Sequence, residues 1–339
     1  MIIRVCYFTD KGMETAKLLS ARWEDAIFQI RSKEVALEQW TKDCFQRRLP
    51  ILFISACGIA VRMIAPYVSD KLTDSPVLVM DEQGRFVISL LSGHMGGANH
   101  LAEKIAGLMQ AQAVVTTATD VENKFSVDVF AKEKGFAILD REGIREISSR
   151  LLRGEGIRVA VDPAISVDGG AESIFPEEFQ VLPYETEEVD LRIMSREGAM
   201  HKDKTKSAAL RLMAKEYVLG IGCKKGKSFE ELQSFLQRNC PFDLEKEVYA
   251  VASIDLKKRE EGLWGVAQFY HIPFITYSAE ELEAVEGDFS ESEFVKNVAG
   301  VSNVCERAAV LLSEGGELVQ KKIAENGMTL AIARRKPRI

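Results

Sequence analysis

The segment SerGlyHisMetGlyGlyAlaAsnHis (92–100) gathers a hydroxyl, two imidazoles, a carboxamide and three glycines just ahead of an apolar helical repeat, residues 101–109. Glycines let a backbone approach a ligand closely, and the amides of a helix start favour an anion. The same pattern also builds a plain strand-to-helix turn, so residue types alone leave both readings open. His94 and His100 are six apart, whereas two ligands on one helical face need three or four, so this is no metal pair. ThrThrAlaThrAsp (116–120) offers hydroxyls and one carboxylate at a strand end, with Asp120 either a helix cap or a general base. Arg62 and Lys71 are cations expected near the same crevice as Gly58 and Ser92. GlyIleGlyCysLysLysGly (220–226) is like an anion cradle with Lys224 and Lys225 beside it, and Cys223 reads as a nucleophile or, for want of a base partner, as a plain buried or rim thiol. No Walker lysine, dinucleotide fingerprint or GxSxG elbow is present.

These groups must be positioned by elements that alternate between strands and helices. Apolar runs at 2–8, 51–54, 77–80 and 86–90 read as strands, and helical spacing follows at 13–19, 59–65 and 101–109, with Pro66 ending the second helix. AspGluGlnGly (81–84) reads as a turn. Residues 113–120 close this region as a strand with a polar end, and the strand ends carrying Ser55, Gly58, Ser92 and Thr119 are expected to share one crevice. The stretch 131–213 differs in texture, with a helix at 144–152, a strand at 157–161 and a charged link at 201–206. Strand–glycine–helix units resume at 217–236, with strands at 250–256 and 272–277, helices at 263–269 and 303–312, and a hairpin turning on AsnGly (326–327). The reading is a multidomain α/β chain: an N-terminal α/β domain (1–130), a smaller middle domain (131–213) and a C-terminal α/β domain (214–339), the outer two with open, mostly parallel sheets flanked by helices.

The chain has 339 residues, 46% apolar and 28% charged, with a net charge of −7. Those values exclude disordered and collagen-like classes, and the acidic balance disfavours nucleic acid. No run reaches the ~20 apolar residues of a membrane span, and six cysteines without a CxxC pair fit reduced thiols, so a cytoplasmic location is expected.

GlyIleAlaValArgMetIleAlaPro (58–66), the 92–102 segment, ThrThrAlaThrAsp, the 220–226 segment, SerIleAspLeuLysLys (253–258) and the ending MetThrLeuAlaIleAlaArgArg resemble, in order, the cobalt-precorrin-5A hydrolases of anaerobic cobalamin biosynthesis. The resemblance runs from about residue 50 to the end. It implies an enzyme that opens the δ-lactone of a ring-contracted cobalt corrinoid and releases acetaldehyde. Cobalt enters as part of the substrate, and no cofactor is implied. A small-molecule corrinoid is the partner, and a homodimer and transient contact with other pathway enzymes are compatible with it.

A flat macrocycle rimmed by carboxylates needs dispersed cations and backbone donors. That assigns Arg62, Lys71, Lys224, Lys225 and Lys257 to carboxylates, and Gly58, Gly93, Gly96, Gly97, Asn99, Thr117, Gly222, Cys223 and Ser253 to the lining of the substrate site. His94, Asp120 and His100 are the general acid/base candidates, with Ser92, Asn99 and the helix-start amides as oxyanion donors. Glu306 is a minor candidate facing the cleft. Two other readings remain at this point: a non-catalytic corrinoid carrier serving a methyltransferase, and a phosphate- or nucleotide-binding enzyme.

Overall fold

A computed structural model describes residues 1–70, 72–116, 125–170, 174–200, 208–290 and 300–339. By contacts the chain divides into two compact units, residues 1–123 and 124–339. The first holds a six-stranded sheet and the second two five-stranded sheets, all flanked by helices.

The first unit runs β1 (Ile2–Tyr7), α1 (Asp10–Arg22), β2 (Ile27–Ile30), α2 (Leu37–Gln46), β3 (Ile51–Ile54), α3 (Cys57–Ile64), β4 (Val77–Met80), β5 (Phe86–Leu91), α4 (Ala98–Met109) and β6 (Gln112–Val114). Its strand order is β2-β1-β3-β4-β5-β6. Central strands such as IleLeuPheIle are continuously apolar because both faces are covered. Leu52 and Ile54 meet α1 and α4 on one face, while Ile51 and Phe53 meet α2 and α3 on the other.

β1 to β4 are parallel, but β5 is antiparallel to β4, with Val77 opposite Leu91 and Met80 opposite Val87. The connection 81–85 dictates this reversal. Asp81 accepts the amides of Arg85 at 2.7 Å and Phe86 at 2.8 Å, and Gly84 takes the left-handed turn at φ +66°. A parallel partner would need a crossover of roughly a dozen residues or more. β6 then pairs parallel to β5.

The second unit opens with α5 (Val127–Lys134), β7 (Phe136–Ile138), α6 (Arg141–Leu152), β8 (Ile157–Val161), β9 (Phe179–Leu182), β10 (Val189–Met194), α7 (Arg196–Met200) and β11 (Ala208–Ala214). The order is β7-β11-β10-β8-β9, parallel except for β7. Arg192 is buried here, and its guanidinium donates to the carbonyls of Tyr184 and Thr186, both at 2.5 Å.

The last sheet follows through β12 (Tyr217–Cys223), α8 (Phe229–Asn239), β13 (Val248–Ile254), α9 (Glu261–Phe269), β14 (Phe274–Tyr277), α10 (Ala279–Glu283), α11 (Val304–Leu312), β15 (Glu317–Glu325) and β16 (Met328–Arg334). Its order is β14-β13-β12-β16-β15, with β12, β13 and β14 parallel and the final pair an antiparallel hairpin. Asn326 and Gly327 sit at φ 49° and 76°, the two left-handed residues that a tight hairpin demands. α8 and α9 cover one face of this sheet, and α10 and α11 cover the other. Among the described residues no helix is long and apolar enough to cross a membrane.

Candidate functional site

The loop from β5 to α4 is locked by its own glycines. A Cβ on Gly93 would lie 2.5 Å from Asn99 Oδ1, and one on Gly96 would lie 2.5 Å from Ser92 Cβ and 2.7 Å from Ser92 O. Ser92 O accepts the amide of Ala98 at 3.1 Å, Gly93 O that of Asn99 at 3.1 Å, and His94 O that of Gly97 at 3.0 Å. The loop therefore caps the first two amides of α4 itself. This revises the expectation of a helix start left open for an anion.

What the loop leaves unspent is the Ser92 side chain. Ser92 holds φ 56°, in the left-handed region that a non-glycine residue rarely occupies, and its Oγ is buried with no hydrogen-bond partner among the described residues. Left-handed backbone costs about 1 kcal/mol or more and a buried unpaired hydroxyl about 1–3 kcal/mol. The packing of Gly96 against Ser92 is what holds both costs in place. His94 is half-buried in the same loop, Asn99 is buried on the first turn of α4, and His100 is exposed beside it.

The single expected crevice is divided. Because β5 runs against β4, Ser92 leaves the sheet at the rim where β3 and β4 begin. Ser55, Gly58 and Arg62 follow the carboxyl end of β3 and lie at the opposite rim. At that far rim α1 leaves β1 toward one face and α3 leaves the adjacent β3 toward the other. Such a switch point opens a crevice in doubly wound sheets. Phe8, Cys57, Gly58, Val61 and Arg62 are exposed there, and no side chain caps α3. Arg62 Nη1 donates to Gly58 O at 3.1 Å, which tethers the guanidinium to its own helix start. Thr117 and Asp120, and Lys71, lie outside the described residues.

The glycines at 220 and 222 belong to β12 rather than to a phosphate cradle. A Cβ on Gly220 would meet Cys305 O at 1.7 Å, so this glycine lets α11 lie directly on the strand. Gly222 backs onto Thr329, whose Oγ1 would stand 2.6 Å from an added Cβ. The Gly226 amide donates to Glu260 Oε1 at 2.6 Å, and Lys257 Nζ pairs with Glu260 Oε2 at 3.1 Å. Lys224 and Lys225 are exposed and form no ion pair among the described residues. Burial pushes the Cys223 thiol up to about 11 despite the nearby Lys257 ammonium, so it stays protonated at neutral pH.

Two expectations are corrected by burial. Ser253 is wholly buried and donates its hydroxyl to Ile221 O at 2.6 Å, which leaves no exposed atom for a substrate. Glu306 is equally buried and faces no cleft. One oxygen accepts from Ser290 Oγ (3.1 Å) and the Lys322 amide (2.7 Å), the other from the Ser290 amide (2.8 Å) and Asn303 Nδ2 (2.8 Å). Among the described residues no three His, Cys, Asp or Glu side chains converge as a metal-ligand set.

Comparison with known proteins adds an independent line. The family described as Cobalamin synthesis G N-terminal matches residues 39–120, and Cobalamin synthesis G C-terminus matches residues 217–333. The cobalt-precorrin-5A hydrolase of Salmonella typhimurium is 34% identical over 304 residues, 86% of this chain and 83% of that protein. The cobalt-precorrin-5A hydrolase of Priestia megaterium is 32% identical over 306 residues, 85% of this chain and 79% of that protein. The crystal structure of a cobalamin biosynthesis protein G homologue from Sulfolobus solfataricus aligns over 98% of this chain and 96% of its own at 24% identity, with a TM-score of 0.43.

Proposed function

Because the chain belongs to the cobalt-precorrin-5A hydrolase family, we propose that it hydrolyses the δ-lactone of a ring-contracted cobalt corrinoid and releases the two-carbon fragment as acetaldehyde, giving cobalt-precorrin-5B. The observation that carries this reading is the 34% identity over 304 residues, 86% of this chain, beside family matches at residues 39–120 and 217–333. The geometry of the Ser92–His100 loop supplies groups for the chemistry.

Water adds to the lactone carbonyl, the acyl C–O bond breaks, and the ring oxygen leaves as an alcohol. Deprotonation of that alcohol then breaks the adjacent C–C bond. Acetaldehyde departs, and the electron pair stays on the macrocycle, where it is protonated. His94 acts as the base that activates water, with His100 and Asp120 as the alternative acid and base. The unspent Ser92 hydroxyl and the Asn99 carboxamide stabilise the oxyanion. The absence of a GxSxG elbow favours water over an acyl-enzyme.

Turnover in oxygen-18 water tests the sequence of steps. One labelled oxygen is expected in the new carboxylate, with His94→Ala losing about 100-fold or more in kcat. Full turnover by His94→Ala removes that histidine from the mechanism, and product without label removes hydrolysis.

A further inference from the structure

We propose that the carboxyl rim of the last sheet, centred on Leu256 with Lys224 and Lys225 beside it, is a face on which the macrocycle lies, Leu256 against the flat ring and the lysines on its carboxylates. This deepens the hydrolase reading and rests on it for the identity of the ligand.

Topology selects the place. β13 leads to α9 on one face of the sheet and the adjacent β14 leads to α10 on the other, so the connections diverge at the carboxyl ends of these two strands. Ligands of open α/β sheets bind at such a point. The 3-10 turn Asp255–Lys257 lies there, following β13. Register brings in the lysines: Gly220 of β12 pairs with Ala252 of β13, and the same register carried past the strand ends sets Lys224 level with Leu256 and Lys225 level with Lys257.

Leu256 is 66% exposed, more than any other large apolar side chain described. A single exposed leucine is ordinary on a mobile loop, but this one is held rigidly. The Lys258 amide donates to Asp255 O at 2.8 Å, the Glu260 amide to Lys257 O at 2.9 Å, and Trp264 Nε1 to Lys258 O at 2.8 Å. Glu260 clips the two loops together, one oxygen on the Gly226 amide and the other on Lys257. The result is a fixed platform with an apolar centre.

Charge decides the chemistry of its occupant. Residues 224–225 and 255–260 carry five lysines and arginines against Asp255 and Glu260, in a chain whose net charge is −7. Glu260 is spent on Lys257 and Gly226, whereas Lys224 and Lys225 form no ion pair among the described residues. An apolar, planar body edged with carboxylates satisfies both features; a nucleic acid would meet a single narrow basic patch on an acidic protein.

Equilibrium dialysis of the full chain against cobyrinic acid, a stable polycarboxylate corrinoid, tests the face without turnover. Leu256→Asp and Lys225→Glu are each expected to raise Kd about tenfold, with the Lys225 effect shrinking in high salt. Val319→Ser, a change at an exposed valine of edge strand β15, should bind as the unaltered chain does. Thermal unfolding checks that each variant is folded. Unchanged Kd in the folded Leu256 and Lys225 variants, or no uptake of cobyrinic acid by the unaltered chain, overturns the proposal. Acetaldehyde release measured in parallel separates the two readings: turnover with unaffected variants sinks the binding face alone, and the expected binding pattern without turnover sinks the hydrolase reading alone.

Discussion

Replacing Gly96 with alanine puts a methyl group 2.5 Å from Ser92 Cβ and 2.7 Å from Ser92 O. Neither atom is the free end of a flexible side chain, so the loop backbone must move. Overpacking of this kind costs about 1–3 kcal/mol. Displacing Ser92 O also weakens its 3.1 Å bond from the Ala98 amide, worth about 1 kcal/mol more. The loop is partly exposed and can absorb much of this strain, so the melting temperature should fall by only a few degrees, whereas a displacement near 1 Å at Ser92 and His94 should lower kcat about 100-fold. Acetaldehyde release under saturating substrate, read beside thermal unfolding, separates the two effects. A Gly96→Ala protein with unaltered kcat would refute the claim that these glycines set the geometry of the reacting groups.

Gly220→Ala should act on stability instead. A Cβ 1.7 Å from Cys305 O forces α11 off β12, and calorimetry should record a loss of about 3 kcal/mol or more. Glu306→Ala removes the buried acceptor shared by Ser290, Asn303 and Lys322 and should cost about 1–3 kcal/mol by chemical denaturation, with KM little changed in whatever enzyme remains folded. Thiol chemistry should follow burial. With its pKa near 11, Cys223 holds only about a thousandth of its thiol as thiolate at pH 8, so brief iodoacetamide treatment should label exposed Cys57 and spare Cys223, with Cys223 labelling rising as pH climbs toward 11. Peptide mass mapping reads the order, and preferential labelling of Cys223 at pH 8 would contradict the burial argument.

Much of the fold was legible because local signals agreed. The strand at Ile51–Ile54, the helix stop at Pro66, the strand at Ile157–Val161 and the AsnGly hairpin all lie where apolar period and turn chemistry placed them. β2 and α2, over residues 27–46, escaped the reading. β2 is a short, half-exposed edge strand, and α2 buries only Trp40, Thr41 and Cys44.

The site was less legible. Ser92 and Gly58 both follow strands, and the shared crevice assumed that those strands run the same way. The short connection 81–85 already ruled that out, since it can join only antiparallel neighbours, and its Asp and Gly were visible as turn residues. Gly220 shows the converse difficulty. A glycine that admits a ligand and one that admits a helix are the same letter in a sequence, and only the position of Cys305 distinguishes them. Leu256 carried no signal as a residue type; its meaning comes from rigid exposure at the point where the sheet connections diverge.

The most direct measurement is acetaldehyde released from enzymatically prepared cobalt-precorrin-5A, followed by coupled reduction with alcohol dehydrogenase, for the intact chain and for His94→Ala. The account predicts one acetaldehyde per substrate with the intact chain and a rate at least about 100-fold lower with the variant. Tight binding of the corrinoid by a folded, intact chain that releases no acetaldehyde would contradict it.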